Sequence, residues 1–477
     1  MISPRKTPDV QELPLPIGDA WRALVALCIG FFMILLDQTI VAVATPALQA
    51  EFDASYSQTI WVTSAYLLTL AVPMLVAGRL GDRVGPNRLY QVGMAIFTAS
   101  SLVGGLAPTI EALIVARAAQ GFGASLLVPQ TMAILSRVFP RNRLGSALGV
   151  WGTVAGLATL SGPLFGGILT STVGWQWIFF VNVPIGLVSI VLVARWVPSF
   201  PRLERRIDPA SIAVSMLAVF LIVFGLQEAE TLDWGLLVWL MLGGGIALIV
   251  LFLVRQSTVA RHGGEPVVPL RLFRQRNFSL GGAGIALMGF NVAAFPLPLM
   301  LYLQQVHGLD ALKAGLMLVP QAVISAVLSP WVGRLVDRLH PGRLGAAGFV
   351  AMGGSIAVLI VLLVADAPLW AALIALSFQG LGHAFIWSPN ARTTIGDLDY
   401  ELAGAGSGVY NTVRQLGSVL GSSSIAALLP TLLGTVSPTA AFATAMALPA
   451  AAMAIAVVVA LLTTNPNAPA AAGGRAD

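Results

Sequence analysis

Three ionisable side chains sit inside long apolar runs, where only specific chemistry justifies a charge. Asp37 lies in the second half of WRALVALCIGFFMILLDQTIVAVATP, Trp21–Pro46, and is the only acidic residue well inside any apolar run of the chain. Arg117 stands in LIVARAAQGFG and Arg414 in GVYNTVRQLGSVLG. An ionised group at membrane depth costs about 2.5–3.5 kcal/mol on insertion scales, so it faces a cavity or a partner rather than lipid. An arginine cannot shed its proton, and it therefore needs a carboxylate, a carbonyl or water. Depth makes Asp37 and Arg117 candidate partners. Asp37 is nine residues before Pro46 at one end of its run, and Arg117 is six after Glu111 at the same side of its own. At 1.5 Å per residue these are depths of roughly 13 and 9 Å. The chemistry open to such a pair is reversible protonation of Asp37 against a fixed cation; a permanently paired structural carboxylate is the alternative.

Arg414 has no acidic residue of its own half to meet, which leaves carbonyls or an anionic group of a substrate. Asn411, Arg414 and Gln415 share one helix face, and a structural role for them stays open. His383 also lies in an apolar run and could titrate, although a lone histidine is more commonly a packing residue. No nucleophile–base–orienter set, metal-type cluster or Walker loop occurs, so no enzymatic activity, metal or cofactor is expected beyond a proton gradient.

These residues must be positioned by membrane helices. The chain has 477 residues, 57% hydrophobic and 10% charged, with mean hydropathy +0.85. Soluble domains run nearer a quarter charged, and apolar runs of about 20 residues exclude a β-barrel. Fourteen spans are expected, at 21–46, 57–78, 89–108, 111–135, 145–170, 178–197, 209–227, 234–254, 278–303, 312–333, 343–364, 368–391, 402–430 and 438–462. The lone Cys28 excludes an internal disulfide, and the first run is too long for a cleavable signal core.

The arginines and lysines then fall almost entirely on one side. With that span count, 23 of the 26 lie on the side of both termini, and the other side receives only Lys313. The positive-inside rule makes that side cytoplasmic. The bases are membrane anchors, not a nucleic-acid surface, despite a sequence pI near 9.8. Spans 7 and 8 are bounded by basic segments, and removing them leaves two sets of six. An echo relates the sets: GRLGDR at Gly78–Arg83 follows span 2, and GRLVDR at Gly333–Arg338 follows span 10. The expected organisation is a cytoplasmic tail (1–20), a six-helix bundle (21–200), two additional helices (201–262), a second six-helix bundle (263–464) and a disordered tail (465–477).

On these motifs the chain resembles the major facilitator superfamily, and within it the fourteen-helix drug:proton antiporters, over about residues 20–460. GRLGDRVGPNR resembles the family's loop between the second and third helices. That likeness implies a conformational latch at Gly78, Asp82, Arg83, Gly85 and Arg88, repeated at Gly333, Asp337 and Arg338. Asn87 stands where a basic residue is usual. RAAQGFG is similar to the motif implicated in proton coupling. In span 5, Gly149, Gly152, Gly156, Thr159, Pro163 and Gly167 form a small-residue stripe, and Gly162 and Gly166 add a GxxxG. SGPLFGG there resembles the antiporter motif, with Ala158 in place of a usual glycine. LDQTIVAVATP, WQWIFFVNVPIG, PLRLFRQRNF and GVYNTVRQLGSVLG are similar to the fourteen-helix group too.

The resemblance implies an all-α protein of two six-helix bundles plus two extra helices. It implies a proton-coupled exporter of drugs or other amphipathic small molecules, in a bacterial inner membrane with both termini cytoplasmic; the sequence leaves the oligomeric state open, with a monomer favoured. A lipid or lipid-precursor translocator, or a metabolite symporter, would use the same fold.

Overall fold

The computed structural model describes residues 13–201, 208–309 and 311–466, and all regular structure among them is helical. Arg5, Lys6, Arg202, Arg205, Arg206, Arg475 and nearly all of the expected disordered tail lie outside the described residues. The first half runs as α1 (Ile17–Phe52), α2 (Tyr56–Val84), α3 (Pro86–Gly105), α4 (Ile110–Val138), α5 (Leu144–Thr172) and α6 (Trp177–Trp196). Then come α7 (Pro209–Gln227) and α8 (Leu236–Arg261). The second half has α9 (Arg276–Gln305), α10 (Lys313–Val336), α11 (Pro341–Val364), α12 (Leu369–Ile395), α13 (Ala403–Leu433) and α14 (Pro438–Leu461).

Local sequence places the ends. Ser55 and Gln58 form a capping box at the start of α2, and the Thr109 hydroxyl accepts from the Ala112 amide to start α4. Gly85 at φ 100° makes the turn into α3, which Pro86 opens. Two boundaries differ from the expectation. α1 continues past residue 46 to Phe52, because Ala47–Glu51 are good helix formers. GRLGDR is the last part of α2 rather than a loop, which leaves Gly85 alone as the connection.

Twelve of the described helices are long and apolar enough to cross a membrane. Of the other two expected spans, α3 is helical but falls short on that measure, and α5 is a 29-residue helix that is apolar over its described stretch. Asn87, Arg88, Gln91, Ser100 and Ser101 dilute α3, and in α5 the apolar stretch is Leu144–Ala158.

Helix packing repeats between the halves. In the first, α1 packs on α5 and α6, α4 on α2 and α3, and α3 on α6; in the second, α9 packs on α13 and α14, α12 on α10 and α11, and α11 on α14. Adding eight to each helix number converts one set of contacts into the other. The halves meet through α5 on α10 and α2 on α13, a pair that the same shift interconverts. α7 packs on α2 and α13, where Trp61 meets Phe224 and the Ser423 hydroxyl donates to the Leu226 carbonyl. α8 packs on α7 and otherwise exposes Leu236, Trp239, Leu240, Ile246 and Val250, an apolar face suited to lipid. Asp208 caps α7 and accepts from Arg255 Nε at 2.7 Å; that hydrogen bond, then Ser211, holds its carboxyl down at about 2.

Glycines set the approach of the halves. A methyl added at Gly333 of α10 would lie 2.7 Å from Cα of Gly149 in α5, and one at Gly78 of α2 would lie 2.8 Å from Cα of Gly408 in α13. Neither contact tolerates a side chain. The hydrogen bonds described between the halves gather at this same end of the helices: Arg137 to the Tyr400 carbonyl, Gly145 and Ser146 to Asp337, Ser388 to the Gly145 carbonyl and Ser407 to the Pro129 carbonyl. The halves are therefore closed at the end that carries the arginines of both repeats. Gly149→Val is expected to hold them apart there. Spin labels at the exposed Arg143 and Arg338, on a Cys28→Ser background, will report a longer interlabel distance; an unchanged distance in a folded variant would contradict the packing.

Candidate functional site

The buried polar centre of the first half is built on α1, α2, α3, α4 and α6. Arg117 Nη1 donates to Asp37 Oδ2 at 2.5 Å and to Gln120 Oε1 at 2.6 Å, and Nε donates to the Val62 carbonyl at 3.1 Å. Asp37 Oδ1 accepts from Gln120 Nε2 at 2.8 Å and from Asn182 Nδ2 at 3.0 Å. Ser101 closes the ring, accepting from both amides and donating to the Phe179 carbonyl. The guanidinium also lies over the Tyr66 ring, 4.2 Å from its centroid. Asp37, Gln120 and Ser101 are fully buried, and Arg117 and Asn182 are within 1% of it. The carboxylate thus has three donors from three side chains, all in the first half, and no hydrogen bond to a described residue of the second. This arrangement can exchange a proton for a rearranged ion pair, because protonating Asp37 removes the charge that orients all three donors.

The depth argument brings Asp37 and Arg117 together and the structure does so. Gln120 and Asn182 were not singled out. Gln120 stands three residues after Arg117 on the same helix face, a spacing that signals it; Asn182 carries only the signal of an amide in an apolar run.

At the closed end each Asp of the repeat faces a helix of the opposite half, with different partners. Asp337 Oδ1 accepts from the Gly145 amide at 2.7 Å, and Oδ2 from the Ser146 amide at 2.9 Å and its hydroxyl at 2.5 Å. These are the first amides of α5, so the carboxylate caps a helix of the opposite half. Burial raises the Asp337 carboxyl above its usual range, and the Ser146 hydroxyl and these amides oppose that. Asp82 faces the start of α13, where a methyl on Gly404 would collide with its carboxylate. Arg137 Nη2 joins Asp82 Oδ1 at 2.7 Å to the Tyr400 carbonyl at 3.1 Å, and its guanidinium lies over the Tyr400 ring.

The basic residues expected in this latch are not the ones that reach it. Arg83, Arg88 and Arg338 point to the exposed surface, while buried Arg79 comes within 3.7 Å of Asp82 and 3.8 Å of Glu265. Helical phase favours this: Arg79 is about 60° round the helix from Asp82, and Arg83, about 100° from it, reaches the exposed side. Asn87 is buried and donates to the Val197 carbonyl at 2.8 Å and the Pro198 carbonyl at 3.3 Å, so it ties down the end of α6.

The α5 glycines do not form one continuous contact stripe. Gly149, Gly152 and Gly156 face α10, Gly162 presses on Thr39 of α1, and Gly166 is buried. Gly167 meets nothing within 4 Å, and Pro163 is helical with its side chain outside the described residues. In α13, Asn411 donates back to the Ser407 carbonyl at 3.0 Å, and Gln415 is buried. Arg414 meets the Trp387 ring at 5.9 Å. His383 lies one turn from Trp387 on α12.

Two related sets of six helices, closed on each other at one end and carrying an ion pair inside one set, define a transporter of the multi-pass membrane type. The chain belongs to the Major Facilitator Superfamily, whose family model matches residues 27–422. It is 44% identical over 418 residues to an uncharacterised MFS-type transporter of Mycobacterium tuberculosis, covering 88% of this chain and 72% of that one. It is 33% identical over 424 residues to the tetracenomycin C resistance and export protein of Streptomyces glaucescens, covering 88% and 78%. The crystal structure of the human organic anion transporter MFSD10 (TETRAN) superposes with a TM-score of 0.67 at 16% identity, covering 91% of this chain and 99% of that one. That last likeness concerns the fold alone.

The ion pair sets a stability test. Removing one partner of a buried pair costs about 3–5 kcal/mol, because the other is left uncompensated. Arg117→Ala is expected to lower thermal stability in detergent more than Asp37→Asn, and the double variant to recover part of the loss. The double-mutant cycle should give a coupling of about 0.5–3 kcal/mol; additive losses would show that the contact carries no energy.

Proposed function

We propose that this transporter is a proton-coupled exporter of drugs or other amphipathic small molecules, working by alternating access in a bacterial inner membrane. In this reading all fourteen helices cross the bilayer, α7 and α8 stand beside two bundles of six, both termini are cytoplasmic, and the closed end faces the cytoplasm. The asymmetric distribution of arginines supports that orientation. The observation that carries the reading is the Asp37 carboxylate, fully buried and held by Arg117, Gln120 and Asn182.

The proposed cycle follows from that geometry. Asp37 takes a proton when the outward state admits water, and its hold on Arg117 and the two amides is lost. The first half then relaxes to a form in which the interface at Gly78–Gly408 and Gly149–Gly333 opens. Release of the proton to the cytoplasm restores the ion pair. Substrate binds between the halves, so proton and substrate act on the same rocking equilibrium without sharing a residue. Export rather than uptake is supported by the S. glaucescens relative and by the α5 segment that resembles the antiporter motif.

The test uses purified protein in proteoliposomes with an imposed pH gradient and a panel of cationic, neutral and anionic amphipaths. The wild type is expected to drive at least one compound against its gradient. Asp37→Asn is expected to abolish proton-driven movement while keeping the folded monomer peak and substrate binding. Full proton-driven efflux by Asp37→Asn would remove the mechanism.

A further inference from the structure

One deep charge is left over after the Asp37–Arg117 pair is accounted for. Arg414 lies eleven residues into α13, roughly 16 Å along the helix, and its guanidinium makes no hydrogen bond or ion pair with any described residue. Among the described residues it lies over the face of Trp387, on α12, and the buried Tyr410 stands one turn before it on α13. Trp387 in turn meets the edge of Trp151 on α5 at 6.4 Å, and Trp151 stacks on Phe31 of α1 at 4.1 Å with the rings 17° from parallel. The row Arg414–Trp387–Trp151–Phe31 therefore crosses from the second half to the first. It lies at the seam along which the halves must separate.

The chemistry of this row is one-sided. Arg414 offers five N–H donors, and the Trp151 indole N–H is buried with no acceptor. No carboxylate balances them, since Asp37 has its oxygens engaged within the first half. Arg414 as a residue is not fully buried. A cation with unused donors at this depth is costly unless something anionic visits it. The neighbouring side chains are aromatic: Trp387 is partly exposed, and Trp151 is buried behind it. A complementary ligand brings an anionic oxygen acceptor and a planar ring system.

We propose that Arg414, Trp387 and Trp151 recognise the anionic head and the ring of a flat aromatic substrate, such as an aromatic carboxylate or a phenolate. This inference rests on the reading of the chain as an exporter with its substrate between the halves. It narrows that reading from amphipaths in general to aromatic anions.

The test is equilibrium binding to the full-length protein in nanodiscs, read by the fluorescence anisotropy of two matched probes. One is 9-anthracenecarboxylate and the other 9-anthracenemethylammonium; cyclohexanecarboxylate and chloride serve as competitors. The unaltered protein is expected to prefer the carboxylate by about tenfold or more, the worth of a charge-assisted hydrogen bond. Neither cyclohexanecarboxylate nor chloride should displace it at equal concentration. Arg414→Gln is expected to lose that preference, Arg414→Lys to keep part of it, and Trp387→Leu to weaken the carboxylate probe. Thermal melting checks that each variant is folded. A preference for the ammonium probe in the unaltered protein would overturn the proposal even if every variant failed to fold. So would unchanged carboxylate affinity in Arg414→Gln. Displacement by chloride as effective as by an aromatic anion would reduce the row to a small-anion site and refute the aromatic assignment. Binding needs no proton gradient. Lost selectivity with intact efflux therefore defeats this inference alone, and intact selectivity with failed efflux defeats the exporter reading alone.

Discussion

Hydrocarbon supplies no hydrogen bonds, so each ionised group buried at membrane depth must find its donors or acceptors within the protein. Asp37 imposes this constraint on the whole first half. Its two oxygens need partners from two directions, and the helices that supply them are α4, through Arg117 and Gln120, and α6, through Asn182. Ser101 on α3 and the Val62 carbonyl on α2 complete the coordination of those partners. Five of the six helices of the half are thus tied to one carboxylate. A change of charge at that position would act on an entire bundle, not on one side chain.

The second half repeats the helix packing of the first but not its charge. The shift of eight that maps α1 onto α9 and α4 onto α12 carries the contacts faithfully and leaves no carboxylate behind. What the halves share is the closing device. Gly78 and Asp82 of α2 meet Gly404 and Gly408 of α13; Gly333 and Asp337 of α10 meet Gly145 and Gly149 of α5. Glycine and aspartate are four residues apart on one partner, and two glycines are four apart on the other. Close backbone approach and a carboxylate aimed at a helix start are therefore delivered by a single helical register.

Much of this was legible before the structure. Helix rise alone brought Asp37 level with Arg117, because depth in a straight span depends only on residue count. The repeat of GRL-x-DR showed that two loops would act alike. What residue count does not carry is azimuth. In α2 it is Arg79, about 60° round the helix from Asp82, that turns inward to it, and not Arg83, about 100° away. The α5 glycines read as one stripe, yet Gly162 faces α1 and Gly167 meets nothing, since the helix changes neighbours along its length. Asn182 was hidden for another reason: a neutral amide in an apolar run announces no partner, and its value depends on a carboxylate 145 residues away. Among the expected spans α3 is the one whose polar residues, Asn87, Arg88, Gln91, Ser100 and Ser101, lower its hydropathy most plainly.

The reciprocal placement of Asp82 and Asp337 makes the closed interface bivalent. Each carboxylate is docked against a helix of the other half, and both halves are packed bodies. When one clamp is made, the other faces its target at an effective concentration set by geometry, of order millimolar or above for short tethers. Two weak clamps then hold as firmly as one strong one, yet let go in sequence. The first release lowers the local concentration seen by the second, so opening proceeds as an unzipping with two small barriers in place of one large one. A duplicated clamp of this kind closes an interface firmly without one deep barrier to its reopening.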